Sequence, residues 1–184
     1  MLCQIIFLYG CVTVYVRLIK FSSKKYVCDR MNCMEFISHS SAETEKFAAE
    51  LAVKLINSTK CNTSSGEFCC VIALFGGMGA GKTAFVKGFV KGIGFTGEVT
   101  SPTFAIVHEY IGGIVPIYHF DMYRIDTEES LYSTGYYDYL DAGGFIITEW
   151  SENIEEYIDA DALRINIEYG EDNDCRKITI DGDF

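Results

Sequence analysis

The chain has 184 residues, of which 49% are hydrophobic and only two are prolines. This length suits one α/β domain with a substantial core and is too short for two ordinary domains. The formal net charge is −11, and residues 34–184 carry 10 Lys and Arg against 25 Asp and Glu. A domain this acidic is a poor candidate for gripping a nucleic-acid backbone by itself.

The first 33 residues form a leader of different composition, with five basic residues against one acid. Its apolar stretch, residues 2–16, is short for a membrane span, and no basic residue precedes it as in a signal peptide. We favour a native start at Met34 or Met31, with the leader as upstream or disordered sequence. A membrane-tethering helix and an additional ordered element are the alternatives.

The number and spacing of the cysteines indicate whether the protein is found in a reducing or an oxidising compartment. Four of the eight cysteines lie in the leader, while Cys69 and Cys70 are adjacent inside an apolar run. Neighbouring strand residues point to opposite faces, and the sequence contains no C-x-x-C pair. We therefore expect reduced, structural cysteines and a cytoplasmic protein.

After the leader, the pattern predicts a strand followed by an amphipathic helix. Residues 34–38 read as a short strand, and Ser40 with Glu43 has the spacing of a capping box. Apolar residues at four-residue spacing then give the helix a buried stripe. This stripe consists of Phe47, Leu51 and Leu55.

A glycine-rich segment between an apolar run and a helix is the strongest signal in the chain. The run Cys69–Phe75 (CCVIALF) reads as a buried strand, and residues 82–93 read as a helix closed by Gly94. Between them, GGMGAGKT at 76–83 fits G-x-x-x-x-G-K-[ST]. We call residues 76–83 the phosphate loop, because a chance glycine turn would not match both flanks as well.

The chemistry of a nucleoside triphosphate site explains these residue types. Glycines allow a tight bend that turns backbone N–H groups inward, beside a helix N-terminus that attracts anions. Lys82 would reach the β- and γ-phosphates, and the Thr83 hydroxyl would bind Mg²⁺. The predicted nucleotide-binding residues are Gly77, Met78, Gly79, Ala80, Gly81, Lys82, Thr83 and Ala84.

The rest of the chain continues the alternation of strands and helices. Asp126 and Glu129 predict a capped helix that ends near Leu140. Further elements are strands at 104–110, 114–120, 144–148, 163–169 and 177–181, and a helix at 151–158. Two hairpins among them predict an α/β fold of the P-loop NTPase kind, a three-layer sandwich with a mixed parallel and antiparallel sheet. Residues 34–184 would form this single domain.

Several polar side chains could complete the site. Asp121 and Glu149 each end an apolar strand, where they are either solvated strand ends or parts of a ligand site. Thr103 is either a γ-phosphate sensor or part of a plain Ser-Pro turn. His119 lies two residues before Asp121 and reads by default as a core histidine. Trp150 either stacks near a nucleotide or fills the edge of the core.

Taken together, the motifs resemble one family, the TsaE (also called YjeE) family, whose bacterial members are ATPases of tRNA threonylcarbamoyladenosine synthesis. The resemblance extends over residues 34–181, whereas the leader has no counterpart in the family pattern. The matching pieces are SSAET at 40–44, GGMGAGKT at 76–83, SPTF at 101–104, HFDMYR at 119–124, DTEE at 126–129, Gly135, Asp138, and EW at 149–150.

The resemblance implies roles for single residues. Lys82 and the loop amides would bind the phosphates of ATP, and Thr83 and Glu149 would coordinate Mg²⁺. Asp121 would act near the attacking water or beside the metal's own ligands, and Thr103 would lie in a switch segment. Asp121, Lys82 and Thr103 are thus the predicted catalytic residues.

The resemblance also implies partners. In the family, TsaD transfers a threonylcarbamoyl group to adenosine 37 of tRNAs that read ANN codons. TsaE binds the TsaB–TsaD pair and hydrolyses ATP to sustain turnover. The acidic composition agrees with this division, since tRNA would then be contacted only through the partners.

Rival functions share the phosphate loop. A small-molecule or nucleoside kinase usually clamps the transferred phosphate with several arginines, but after residue 33 only Arg124, Arg164 and Arg176 exist, and just one lies near the motifs. A GTPase is disfavoured because the D-x-x-G run at 141–144 precedes a strand and no N-K-x-D occurs. A module that binds ATP without turnover is the non-enzyme alternative.

Overall fold

A computed structural model describes residues 33–58 and 69–182, together with the backbone of four short leader strands. These are β1 (Gln4–Tyr9), β2 (Val12–Arg17), β3 (Lys20–Phe21) and β4 (Lys24–Lys25), which pair as β1 with β2 and β3 with β4. The predicted start at Met31 and the leader residues other than these strands and Cys33 lie outside the described residues. Among those that are described, no helix has the length and apolar character needed to cross a bilayer.

The centre of the fold is a seven-stranded mixed sheet in the order β5-β11-β10-β6-β9-β8-β7. Four neighbours in its middle, β10, β6, β9 and β8, run parallel, and the outer pairings are antiparallel. This confirms the predicted mixed sheet. The strands are β5 (Cys33–Ser38), β6 (Cys69–Phe75), β7 (Val107–Tyr110), β8 (Ile117–Asp121), β9 (Gly144–Glu149), β10 (Leu163–Tyr169) and β11 (Arg176–Asp181).

Helices cover both faces of the sheet. On one face, α1 (Ser41–Ile56) and α2 (Lys82–Gly92) pack over a core that includes Ile72 and Leu74 of β6. On the other face, α3 (Glu128–Ser133), α4 (Tyr136–Ala142) and a 3-10 helix (Ser151–Tyr157) enclose a second core with Ala73. The alternation along β6 follows from the two-residue period of a strand. The three layers confirm the predicted sandwich.

The N-terminal helix follows its prediction closely. Phe47, Leu51 and Leu55 are all buried in the first core. The Ser40 side chain accepts a hydrogen bond from the Glu43 backbone N–H. The Glu43 carboxylate reaches back one residue further than a capping box requires and accepts from the N–H of His39 at 2.9 Å.

The predicted helix from Asp126 to Leu140 is wrong in two respects. Thr127, not Asp126, is the N-cap of α3, in a reciprocal pair of hydrogen bonds with Ser130. The helix is also broken, because Gly135 adopts a left-handed backbone with φ of 76° between α3 and α4. Glycine enters this conformation without the steric penalty of a side chain, so it ends the helix at this point.

The strand predicted from residue 104 begins three residues later, at Val107. The N–H groups of Ala105 and Ile106 both donate to the Pro102 carbonyl, at 2.9 and 2.8 Å. Ile106 then has a φ of 70°. The Ser-Pro segment therefore forms a closed turn, which delivers Thr103 to the sheet edge instead of extending the strand.

Candidate nucleotide-binding site

The phosphate loop joins the carboxyl end of β6, in the middle of the sheet, to the first turn of α2. Gly76, Gly79 and Gly81 have φ values of 132°, 72° and 108°, a region that side chains disfavour. At Gly76 a side chain would also collide with the Ile167 carbonyl oxygen of β10. Backbone conformation thus requires glycine at 76, 79 and 81, and close packing adds to this at Gly76, whereas Gly77 has open space around it.

A cleft of about 390 Å³ opens above the loop. It brings together most of the predicted site residues, which come from four different parts of the chain. Gly77, Ala84 and His119 are not among its lining residues. The lining consists of Met78, Gly79, Ala80, Gly81, Lys82, Thr83, Ser101, Thr103, Asp121, Tyr123, Glu149 and Trp150.

Glu149 is the centre of a buried hydrogen-bond chain. The Thr83 hydroxyl donates to its Oε1 and Oε2 atoms at 3.0 and 3.3 Å, and His119 Nε2 lies 2.8 Å from Oε1. The His119 ring is fully buried, and its Nδ1 atom has no hydrogen-bond partner among the described residues. Because a carboxylate can only accept, the imidazole donates this hydrogen bond from Nε2. His119 therefore fixes the orientation of the Glu149 carboxylate from inside the sheet.

Asp121 has a different set of partners. Its Oδ2 atom accepts from the Thr103 hydroxyl at 2.8 Å, and its Oδ1 atom accepts from the Tyr123 N–H at 3.0 Å. The Thr103 hydroxyl also lies 2.9 Å from that of Ser101. Asp121 is opposite Glu149 in the parallel pair of β8 and β9, so the two predicted acids are adjacent at the carboxyl ends of these strands.

Lys82 is folded back onto the phosphate loop. Its ammonium donates to the carbonyl oxygens of Gly76 and Gly77 and lies 3.8 Å from the centre of the Trp150 ring. Burial lowers the pKa of Lys82 from its ordinary value, although the nearby carboxylates of Glu152, Glu149 and Asp121 act in the opposite direction. The ammonium is thus held beside the cleft by neutral acceptors that an anion can replace.

The oxygen atoms of the site fit a small divalent cation. Thr83 and Glu149 present a hydroxyl and a carboxylate within hydrogen-bond distance of each other, with Asp121 on the next strand. Mg²⁺ prefers such oxygen ligands and usually takes only one or two carboxylates. In the part of the chain that the structure describes, no three His, Cys, Asp or Glu side chains gather around one point. Phosphate and water oxygens would therefore have to complete the shell of Mg²⁺.

Sequence reasoning missed two residues that contact the loop, Tyr169 and Arg176. The arginine nearest the motifs in sequence is a different one, Arg124, which lies over the Phe104 ring at 6.0 Å. Arg176, far from every motif, instead donates from Nε to the Ala80 carbonyl at 2.8 Å. Tyr169 donates to the Met78 carbonyl at 2.9 Å. No short motif signals these contacts, because they depend on the sheet order that sets the β10–β11 hairpin beside β6.

A central parallel strand, a glycine-rich loop and a helix, with acids on neighbouring strand ends, define an α/β fold of the P-loop class. The family model described as Threonylcarbamoyl adenosine biosynthesis protein TsaE matches residues 38–178. The chain therefore belongs to the TsaE family, which confirms the resemblance seen in the sequence.

Individual relatives agree with this assignment. The tRNA threonylcarbamoyladenosine biosynthesis protein TsaE of Bacillus subtilis strain 168 is 42% identical over 109 residues, which is 59% of this chain and 67% of the relative. The protein of the same description from Synechocystis PCC 6803 is 38% identical over 128 residues, 68% of this chain and 74% of the relative. The crystal structure of Bacillus subtilis YdiB superimposes with a TM-score of 0.64 at 30% identity, over 83% of this chain and 88% of that one.

Proposed function

We propose that this protein is a Mg²⁺-dependent ATPase that acts with TsaB and TsaD in the cytoplasm and supports N6-threonylcarbamoylation of adenosine 37 in tRNAs reading ANN codons. One observation carries the proposal. Lys82, Thr83, Asp121 and Glu149, which come from a helix start and two strand ends, line one cleft above a phosphate loop. Membership of the TsaE family supplies the pathway.

ATP binding rests on the loop and its lysine. The Lys82 ammonium would leave the carbonyls of Gly76 and Gly77 and bind the β- and γ-phosphates. The phosphate oxygens are stronger acceptors than the carbonyl oxygens because they are charged. Thr83 and Glu149 would hold Mg²⁺, which neutralises phosphate charge when bound. His119, through its 2.8 Å contact, keeps the Glu149 carboxylate turned towards Thr83.

Hydrolysis also needs a positioned water, and Asp121 is the residue we assign to that task. Its carboxylate is held at both oxygens, by Thr103 and by the Tyr123 N–H, so it has a fixed direction. A fixed acceptor orients water and favours in-line attack. Because Thr103 reaches Asp121 from the Ser-Pro turn, that turn would sense the γ-phosphate and act as a switch segment.

Turnover by the protein alone should be slow. No arginine is among the residues that line the cleft, so little in the described part of the chain stabilises charge on the transferred phosphate. The partners would supply or order the missing groups. Phe104, which is 93% exposed beside Thr103, would present the nucleotide state to them. tRNA would be contacted only through TsaB and TsaD.

Phosphate release from ATP and GTP, with and without TsaB–TsaD and with and without Mg²⁺, tests this function. We expect slow, ATP-selective and Mg²⁺-dependent release that the partners accelerate. Undiminished release in excess chelator contradicts the Mg²⁺ assignment. ATP-dependent phosphorylation of a nucleoside without net hydrolysis would favour the kinase alternative, and binding without any turnover would favour the non-enzyme module.

A further inference from the structure

The hairpin of β10 and β11 contacts the phosphate loop from the side opposite the cleft residues of β8 and β9. At its end, Tyr169 and Arg176 are direct cross-strand partners, and the guanidinium lies 4.4 Å from the centre of the tyrosine ring. The Tyr169 hydroxyl donates to the Met78 carbonyl at 2.9 Å, and Arg176 Nε donates to the Ala80 carbonyl at 2.8 Å. A longer contact of 3.4 Å joins Arg176 Nη2 to the Gly79 carbonyl.

These contacts determine the direction of the loop's N–H groups. In a planar trans peptide, the C=O of one residue and the N–H of the next point in opposite directions. Holding the Met78 carbonyl towards the hairpin therefore turns the Gly79 N–H away from it. The Ala80 carbonyl does the same for the Gly81 N–H. Tyr169 and Arg176 thus set the direction of two loop N–H groups by holding the carbonyl oxygens of the preceding residues.

The hairpin end is itself fixed. Arg176 Nη1 donates to the carbonyls of Asn173 and Cys175 at 2.7 and 2.8 Å, so the guanidinium is anchored to its own turn. The contact of Tyr169 with the loop is also close enough to restrict which residues the loop can contain. A side chain at Gly79 would meet the Tyr169 hydroxyl at 2.8 Å. Because this pair of donors is anchored, it restricts the conformations that the glycine-rich loop can adopt.

We propose that Tyr169 and Arg176 are positioning residues that hold the phosphate loop in its anion-binding conformation before any nucleotide arrives. The proposal rests on the proposed function in that it takes the loop as the ATP site. Without these two residues, the loop would have to be ordered at the time of binding, and that entropic cost would weaken affinity for ATP.

Relaxation measurements on the nucleotide-free protein test the positioning directly. The test compares the backbone ¹⁵N order parameters of Gly79 and Gly81 in wild type, Tyr169→Phe, Arg176→Met and the double variant. Wild type should give rigid values of about 0.85, and the double variant should fall below about 0.6. Residues inside α2 should not change, and neither should the melting temperature by more than a few degrees.

The matched control is Arg164→Met, which removes the other arginine of the hairpin. Its guanidinium pairs with Glu155 at 3.1 Å and not with a loop carbonyl, so the loop order parameters should stay at the wild-type level. Unchanged order parameters of Gly79 and Gly81 in the double variant overturn the proposal. Equal loss in the Arg164→Met control overturns it as well, since the effect would then be general.

Titration with ATP separates this inference from the proposed function. If wild type binds ATP, the double variant should bind it about tenfold more weakly, from the loss of two hydrogen bonds that order the site. Equal affinity of the two proteins for ATP contradicts the positioning role. If wild type does not bind ATP at all, the proposed function fails, and the order parameters still decide whether the hairpin positions the loop.

Discussion

The two acids of the cleft differ in their surroundings at the scale of single residues. Both are buried, but Glu149 accepts hydrogen bonds from Thr83 and His119. Asp121 is instead held by Thr103 and by a backbone N–H. A carboxylate beside the loop threonine suits a metal, whereas one tied to the Ser-Pro turn suits the orientation of a water. The two should therefore respond differently to neutralisation.

Glu149→Gln and Asp121→Asn are expected to separate these roles. Glu149→Gln should raise the Mg²⁺ concentration for half-maximal hydrolysis about tenfold or more, because the metal loses a charged ligand. Asp121→Asn should keep the wild-type Mg²⁺ dependence but lower kcat about 100-fold, the typical size of a general-base contribution. Rates measured across a Mg²⁺ series decide this. Near-wild-type behaviour of both variants would show that the two residues are only strand-end acids.

Lys82, to which we assign phosphate binding, is buried in the nucleotide-free protein. Burial lowers its pKa below the ordinary 10.5, so the charged form is less favourable in the folded than in the unfolded state. Lys82→Met should therefore leave the melting temperature of the nucleotide-free protein unchanged or higher. It should also abolish the rise in melting temperature that ATP gives wild type. A clearly lower melting temperature without ATP would contradict this account.

The same residue gives a pH dependence with a defined sign. Between the lowered folded pKa and 10.5, the unfolded chain holds more protons on Lys82 than the folded one, so rising pH favours folding. The stability of wild type relative to Lys82→Met should then increase as pH rises towards 10.5. Urea unfolding of both proteins at neutral and alkaline pH measures the difference between their free energies of unfolding. Titrating groups that the two proteins share contribute equally to both values. A difference that shrinks with pH would reverse the assigned direction.

At the scale of elements, the close approach of α1 and α2 depends on two glycines of α2. A side chain at Gly92 would meet the Ala49 carbonyl oxygen at 2.6 Å, and one at Gly88 would run into the Glu45 backbone. Both glycines lie on one helix face because they are four residues apart. This contact fixes α2, whose first turn carries Lys82 and Thr83, against the rest of the domain.

Gly88→Ala should lower the free energy of unfolding by about 2 kcal/mol, because the colliding atoms belong to a backbone that cannot turn aside. Alanine's better helix propensity offsets less than half of this. Gly77→Ala is the control, since Gly77 has open space around it, and should change the value by less than about 0.5 kcal/mol. Chemical denaturation checks both. Similar stability of the two variants would show that α1 can move away from α2.

Elements with an unbroken apolar pattern could be predicted from the sequence almost to the residue. Cys69–Phe75 matches β6, and the predicted hairpin matches β10 and β11 within one residue. The failures occur where one residue changes the backbone locally. Gly135 breaks a helix that the pattern continues, and the turn after Pro102 delays a strand.

The candidate site divides in the same way. Lys82 and Thr83 belong to a motif with a known spacing, and Asp121 and Glu149 end strands that the apolar runs reveal. The contact of Arg176 with the loop could not be predicted, because it arises from the sheet order β11-β10-β6, which sets the β10–β11 hairpin beside β6. Side chains that act through tertiary neighbours leave no local pattern.

At the scale of the whole molecule, the seven-stranded sheet begins at β5 and needs nothing from the earlier strands for its order. Residue 34 lies within β5, whose residues pair with β11 along its whole length. A chain that begins at Met34 should therefore fold with a melting temperature within a few degrees of the full chain. A chain that begins at Ser41, which lacks β5, is the control and should melt much lower. Equal loss in both would assign a structural role to the leader.

The function we propose is likewise a property of an assembly. An acidic domain whose cleft is lined by no arginine among the described residues is expected to hydrolyse ATP slowly until partners complete the site. Residues 101–104, tied to Asp121 through Thr103, are the segment that we expect to couple nucleotide state to those partners.

Multi-turnover tRNA threonylcarbamoylation by TsaB and TsaD, with and without this protein, tests the central claim most directly. With the other pathway enzymes and ATP present, we expect modification to continue over many cycles only when wild-type protein is added. The Lys82→Ala variant, which lacks the ammonium that we propose binds phosphate, should not substitute for the wild-type protein. Sustained modification without the protein, or equal support from Lys82→Ala, would contradict the account.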